Sequence, residues 1–127
     1  MATKVLVVDD DADIRRGLNV RLRANGYEVL FAADAISAVT VAVKEHPDLV
    51  ILDIGLPAGD GYVVMERFQK HPALGCIPVI VLSARDVVEN RQRALDAGAY
   101  AFFQKPADNN QLLRSIRAAL DPAQVRR

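Results

Sequence analysis

The sequence predicts an α/β fold, a single doubly wound domain in which five parallel strands are flanked by five helices. Three observations carry that reading. Short apolar runs recur along the chain (Val5–Val8, Leu49–Leu52, Val79–Leu82 and Phe102–Phe103), and runs this short and this rich in Val, Ile and Leu read as strands buried on both faces, the mark of a parallel sheet. Stretches with helical spacing alternate with them, which points to βαβ units joined by right-handed crossovers. Each run also delivers polar residues to the point where it stops: Asp9, Asp10 and Asp11, then Asp53, then Ser83, then Lys105 after Gln104. Open α/β sheets place their working residues just outside the carboxyl ends of the strands, so carboxylates, a hydroxyl and an ammonium group are expected on one edge. That inventory suits a divalent cation beside a phosphoryl group.

The elements follow in order. After the strand at 5–8, Ile14, Leu18 and Leu22 form one helix face, and Asn25-Gly26 ends that helix as a C-cap does. A second strand is expected at 28–31. Residues 35–44 carry conflicting signals: Val39, Thr40, Val41 and Val43 favour a strand, whereas Ala35, Ala38 and Ala42 favour a helix. The βα alternation and the stop at Pro47 decide for a helix. A third strand spans 48–53 and a helix 61–70. The fourth strand follows Pro78, and Asp86-Val87-Val88-Glu89 has the form of a capping box opening a helix that closes at Gly98. The fifth strand is placed at 100–103. Asp108, with Gln111 at the third position, caps a last helix that buries Leu113, Ile116 and Leu120 and stops at Pro122.

With 127 residues the chain is one ordinary domain, 1–127, with a core of about 3–120 and a tail from 121 to 127. Its sixteen basic and sixteen acidic residues cancel, so nothing points to a nucleic-acid or membrane surface, and Arg126-Arg127 reads as a solvated end. The lone Cys76 has no disulfide partner and no zinc-type spacing, and reads as a semi-buried small residue at a strand entry. No apolar stretch reaches the ~20 residues of a membrane helix, and no secretory core precedes Asp9, so the cytoplasm is the expected compartment.

Each site residue also has an ordinary structural reading. An Asp between strand and helix is most often an N-cap, and one of Asp10, Asp11 and Asp13 is expected to serve so. Three consecutive carboxylates exceed what capping requires, since each close like-charged pair costs about 1 kcal/mol even in water; a cation explains them best. Asp9-x-Asp11-x-Asp13 imitates the start of a calcium loop, but Ile14 stands in place of its glycine and Val20 in place of its closing glutamate, which excludes it. Asp53 alone reads equally as a cap or a reacting group, and Ser83-Ala84 alone as a structural serine. Lys105, followed by Pro106, is the least expected residue at a strand end, unless it neutralises the acidic cluster.

Taken together, Asp9-Asp10 after Val5–Val8, Asp53 within LDIGLPAGDG, Ser83-Ala84 after VIVL, Phe102, and Lys105-Pro106 resemble the receiver domain of two-component response regulators. The resemblance covers residues from about 3 to 120 and implies a flavodoxin-like sheet of order 2-1-3-4-5. It implies that Asp53 is the nucleophilic phosphoacceptor, with Asp10 a direct Mg²⁺ ligand, Asp9 its water-mediated or second carboxylate partner, and the Gly55 carbonyl a further ligand. Ser83 is then expected to bond a phosphoryl oxygen, and Lys105 to pair with the acceptor and afterwards with the phosphoryl group. The Lys105–Pro106 bond is expected to be cis. Ser83 and Phe102 would be the switch residues, with Phe102 serving as a core aromatic in one state and changing the surface of helix four, strand five and helix five in the other.

The implied partners are a sensor histidine kinase or phosphotransfer protein, and a downstream target or an output domain outside this chain. No direct nucleic-acid contact, membrane contact or enzymatic activity on other substrates is expected, and the assembly is a monomer or a phosphorylation-dependent dimer. Some residues depart from the family pattern. Ala107 stands where many relatives have Phe, and Tyr100-Ala101 where winged-helix regulators carry acidic dimer contacts. Gly55 and Arg85 flank the expected water approach, which predicts a tuned loss of the phosphoryl group. Two rival readings stand beside this one. A Mg²⁺-dependent phosphoaspartate-type phosphatase would need a substrate-enclosing cap for which the chain has no room. The other is a receiver-like scaffold that is never phosphorylated, or a flavin carrier; three aspartates would repel a flavin phosphate.

Overall fold

The computed structural model describes residues 2–56 and 61–121, and within them the chain alternates strand and helix throughout. The order is β1 (Lys4–Val8), α1 (Ala12–Ala24), β2 (Glu28–Ala32), α2 (Ala35–Glu45), β3 (Leu49–Leu52), α3 (Gly61–Lys70), β4 (Val79–Ser83), α4 (Val87–Asp96), β5 (Ala101–Gln104) and α5 (Asn109–Leu120). All strand pairs are parallel and the sheet order is β2-β1-β3-β4-β5. The expected fold and strand order are both present. Pro57–Asp60, the stop at Pro122 and Arg126-Arg127 lie outside the described residues.

The central strands are apolar on both sides because the sheet is covered on both sides. Leu6, Val8, Val50, Leu52, Val79, Val81 and Phe102 pack with α2, α3 and α4. The alternate residues Val5, Val7, Leu49, Ile51, Ile80 and Leu82 pack with α1 and α5. Period-two alternation thus divides one continuous apolar run between two cores.

Helix ends follow local chemistry. Asp11 is the N-cap of α1, its carboxylate accepting the Asp13 and Ile14 amides at 2.8 and 3.4 Å. Gly26, at φ +87°, takes the left-handed turn after the helix. In α2 the sequence conflict resolves by position: Ala35, Ala38 and Ala42 lie against the sheet, which lets the helix pack closely, while Val39 and Val41 sit on its flanks. Asp86 caps α4 by accepting from Val88 at 2.7 Å, one residue earlier than a capping box uses. Asp108 caps α5 through the Gln111 amide at 3.0 Å, as the spacing predicts.

Several boundaries and burials differ from the sequence reading. β3 is shorter than 48–53, yet Asp48 and Asp53 still donate to Lys4 O and Val8 O at 2.8 and 2.9 Å, so the ladder extends past the strand at each end. β2 runs one residue beyond 31, and β5 starts one residue after 100. The buried stripe of α5 is Leu112, Leu113, Ile116 and Ala119; Leu120 is only half-buried, because the stripe is centred on the 112–116–119 row. Cys76 is exposed rather than semi-buried. Leu74 fills the interior of that turn and is fully buried, which leaves Cys76 facing outwards.

Two helical glycines should respond oppositely to a methyl group. Nothing lies within 4 Å of a Cβ at Gly17, so Gly17→Ala should stabilise the fold by about 1 kcal/mol through helix propensity. A Cβ at Gly61 would lie 2.7 Å from Asp53 O and closer still to Ile54 Cα, so Gly61→Ala should destabilise by roughly 1–3 kcal/mol. Urea unfolding of the two variants measures both signs.

Candidate functional site

Strand register brings the predicted residues together. Val8 pairs with Leu52 across β1 and β3, so the two chains leave the sheet side by side, carrying Asp9 and Asp53. Ser83 pairs with Gln104 across β4 and β5, and the Lys105 amide donates to Ser83 O at 2.8 Å. Four separate segments therefore converge on one edge of the sheet, at the carboxyl ends of its strands.

Asp9 and Asp53 are buried, Ser83 is fully buried and Asp10 is exposed. One ligand oxygen from each of Asp9, Asp10 and Asp53 lies within 4.8 Å of the others. Lys105 Nζ sits between two of them, 2.8 Å from Asp9 Oδ2 and 3.3 Å from Asp53 Oδ2. The resemblance anticipates a pairing with Asp53; the shorter contact is to Asp9. The remaining carboxylate oxygens are held by backbone amides. Gly55 donates to Asp53 Oδ1 at 2.8 Å, and Asp11 donates to Asp9 Oδ1 at 2.9 Å. Both are amides two residues further on, a local geometry that aspartate adopts readily.

The charges are tightly coupled. Burial pushes the Asp9 carboxyl above its usual range, although the Lys105 ammonium and the Asp11 amide pull the other way. Burial also opposes the charge on Lys105, but the hydrogen bond and attraction of Asp9, with Asp53 behind them, outweigh it and hold its pKa above the ordinary value. The two directions are consistent: the ammonium is well satisfied, while the buried carboxylate is not fully compensated. One lysine faces three carboxylates. An edge of hard carboxylate oxygens with net negative charge and one exposed member fits a hard divalent cation.

Ser83 Oγ accepts the Arg85 amide at 3.2 Å. Arg85 Nε lies 3.5 Å, and Asp53 Oδ1 3.3 Å, from where a Gly55 Cβ would sit. Glycine therefore keeps the approach beside the Asp53 carboxylate clear of a side chain, and the Arg85 guanidinium borders that space. Phe102 is buried among the core side chains on the α2–α3–α4 face, and the Lys105–Pro106 peptide is cis. Two contributors escape the sequence reading. Arg15 Nη1 donates to the Asp9 carbonyl at 2.7 Å, and the Asp11 amide bonds the Asp9 carboxylate. Neither gives a signal, since an arginine in a first helical turn is ordinarily solvated and a backbone amide has no side-chain identity. No helix among the described residues is long and apolar enough to cross a membrane.

Comparison with known proteins agrees with this geometry. The family model of the response regulator receiver domain matches residues 5–117. The probable transcriptional regulator ycf27 of Porphyridium aerugineum is 40% identical over 117 residues, covering 92% of this chain and 48% of its own length. The chain thus spans about half the length of the curated relatives it matches. Among solved structures, a putative response regulator from Chloroflexus aurantiacus superposes with a TM-score of 0.90 at 32% identity, covering 94% of this chain and 98% of that one. The chemotaxis response regulator CheY4 of Vibrio cholerae gives 0.86 at 29% identity, covering 94% of this chain and all of its own (100%). Since the matched segment holds all of the sheet but Lys4 and every residue of the converging edge, this chain belongs to the response regulator receiver domain family.

Proposed function

We propose that Asp53 accepts a phosphoryl group from a sensor histidine kinase or phosphotransfer protein, and that the acyl phosphate so formed switches the surface made by α4, β5 and α5. The observation that carries this reading is the Asp53 carboxylate itself. It is buried, oriented by the Gly55 amide and ion-paired to Lys105, at the edge it shares with Asp9 and Asp10.

The chain's own groups have distinct tasks. An oxygen of Asp53 attacks phosphorus in line, the bond from phosphorus to the donor breaks, and the donor leaves with that electron pair. A carboxylate is a weak nucleophile, so positioning matters more than basicity. The Gly55 amide fixes one oxygen of Asp53, leaving the other on the Lys105 side. Charge spreads over three phosphoryl oxygens in the transition state. Lys105 meets one of them by exchanging carboxylate for phosphoryl contact, and the Ser83 hydroxyl donates to another. Mg²⁺, held by the carboxylates of Asp9, Asp10 and Asp53 and the Gly55 carbonyl, would supply the remaining neutralisation. Arg85, bordering the clear side of Asp53, sets how easily water reaches the product.

The added charge is the source of switching. Ser83, the last residue of β4, would turn towards the phosphoryl group, and Phe102 of the neighbouring β5 pairs with Val81 of β4. Phe102 is inward here and is the aromatic whose rotamer reports the state. The domain is thus a signalling element that promotes only its own phosphorylation and dephosphorylation. It controls a downstream protein or an attached output domain, as its curated relatives' unmatched half would provide, and acts as a monomer or a phosphorylation-dependent dimer.

Intact mass after incubation with acetyl phosphate and Mg²⁺ tests the reading. The wild type should gain one phosphoryl group; Asp53→Asn, or omission of Mg²⁺, should abolish the gain. A natively folded wild type that gains nothing from acetyl phosphate or from phosphorylated kinase contradicts it, and turnover of a generic phosphate ester would favour the phosphatase alternative.

The charge balance makes a second prediction. Lys105→Met leaves Asp9 and Asp53 facing each other and should lower stability by about 2–3 kcal/mol at neutral pH. Asp9→Asn should leave stability unchanged or raise it by up to about 1 kcal/mol, because it removes a carboxylate that burial disfavours. The pH dependences differ in sign. Folded Asp9 binds its proton more tightly than an unfolded aspartate does, so ionised Asp9 costs stability above its folded pKa and the cost fades as pH falls through the carboxylate range. Any advantage of Asp9→Asn should therefore shrink in acid. Lys105 is raised above 10.5, so its contribution is full below 10.5 and lost as pH rises through the folded value. The deficit of Lys105→Met should disappear only at strongly alkaline pH. Urea unfolding across pH, without divalent cations, measures both.

A further inference from the structure

The α3–α4 junction holds a buried polar tie that phosphoryl chemistry at Asp53 does not use. Two residues of α4 are fully buried, Asn90 and Ala94. With so little apolar area to fix it, the position of α4 depends on what its polar groups touch. Tyr62, the second residue of α3, is buried and touches them at both ends of its side chain. Its hydroxyl donates to Asn90 Oδ1 at 3.0 Å and lies 3.3 Å from the Asn90 carbonyl. The face of its ring carries the Arg93 guanidinium at 3.8 Å, a cation–π contact. The Asn90 amide in turn donates to Asp86 O, at the N-cap of α4, at 2.9 Å.

The other side of Tyr62 leads to Asp53 in one residue. The Gly61 amide donates to Ile54 O at 2.9 Å, and Gly61 lies so close to Ile54 Cα and Asp53 O that no Cβ fits between. The first turn of α3 is therefore in direct backbone contact with the residues carrying the acceptor, with no gap to absorb a displacement. Parting Tyr62 from Asn90 would break this hydrogen bond between buried side chains, which couples their positions.

We propose that Tyr62 is a positioning residue that ties α4 to the backbone of Asp53 and Ile54, so that the two move as one body. This gives α4, whose Val88 is 90% exposed, a link to Asp53 distinct from the one through Ser83 and Phe102. Its meaning as a signal rests on the phosphoacceptor reading; the mechanical tie does not.

Residue-resolved hydrogen exchange on the unmodified protein tests it, using the wild type, Tyr62→Phe, Asn90→Ala and the double variant. Each single variant should speed exchange in α4 and also at the Gly55 and Gly61 amides by about fivefold, the scale of one lost hydrogen bond. The double variant should add nothing to the Asn90→Ala effect at Gly55 and Gly61, because both changes remove one interaction. Exchange in β1 and β3 serves as the folding control, and Asn90→Ala carries the test alone if Tyr62→Phe does not fold. Loosening of α4 without a change at Gly55 and Gly61 would overturn the tie, as would additive effects or no effect. Because no phosphoryl group is present, these outcomes are independent of whether Asp53 is phosphorylated.

Discussion

Lys105 placed between Asp9 and Asp53 is the interaction on which the site depends. Two buried carboxylates with a third nearby repel one another, and the Lys105 ammonium at 2.8 and 3.3 Å from two of them is a positive charge that offsets this repulsion in the unmodified protein. The compensation is incomplete, since burial still raises the Asp9 pKa. A folded protein that retains such a cluster carries local electrostatic strain. A cation would relieve that strain, and in the proposed function a phosphoryl group would give Lys105 a stronger partner. The same lysine is thus the counterion of the unmodified state and, under the proposed function, would become a ligand of the modified one.

The parallel sheet makes this possible without any long-range precision from loops. β1 and β3 end at the same level and β4 two residues further along, with registers fixed by apolar side chains buried on both faces. Asp9, Asp53 and Lys105 are each the next residue after their strand, and Ser83 is the last residue of its own, so all four reach the common edge. Asp9 and Asp53 are further pinned by ladder bonds to Ala32 O and Val8 O at 3.0 and 2.9 Å. The cores below are therefore the support of the candidate site.

Strand ends were readable from sequence because an apolar run that stops at Asp, Ser or Lys marks both an element boundary and a site residue. The neighbour order in the sheet was not readable that way: burial pattern says that a strand is covered, not which strand lies beside it, and the order came from the resemblance. Local propensity alone is ambiguous over α2; the βα alternation and Pro47 decide for the helix, whose alanines pack against the sheet. On α5, Leu113 and Ile116 are buried as their spacing suggests, whereas Leu120 is only half-buried and Leu112 and Ala119 complete the stripe. Cys76 was misplaced since a turn gives no periodicity from which to judge which side faces in. The preference of Lys105 for Asp9, and the bond from Tyr62 to Asn90 across 28 positions, are three-dimensional facts with no local signature.

The most direct test of this account is a high-resolution crystal structure of the wild type with Mg²⁺ and beryllofluoride, compared with the unliganded crystal. The account predicts beryllofluoride on Asp53, Mg²⁺ among the Asp9, Asp10 and Asp53 oxygens, and Lys105 Nζ moved from Asp9 onto a fluoride. Lys105 remaining on Asp9, with neither Mg²⁺ nor beryllofluoride at Asp53, would contradict it.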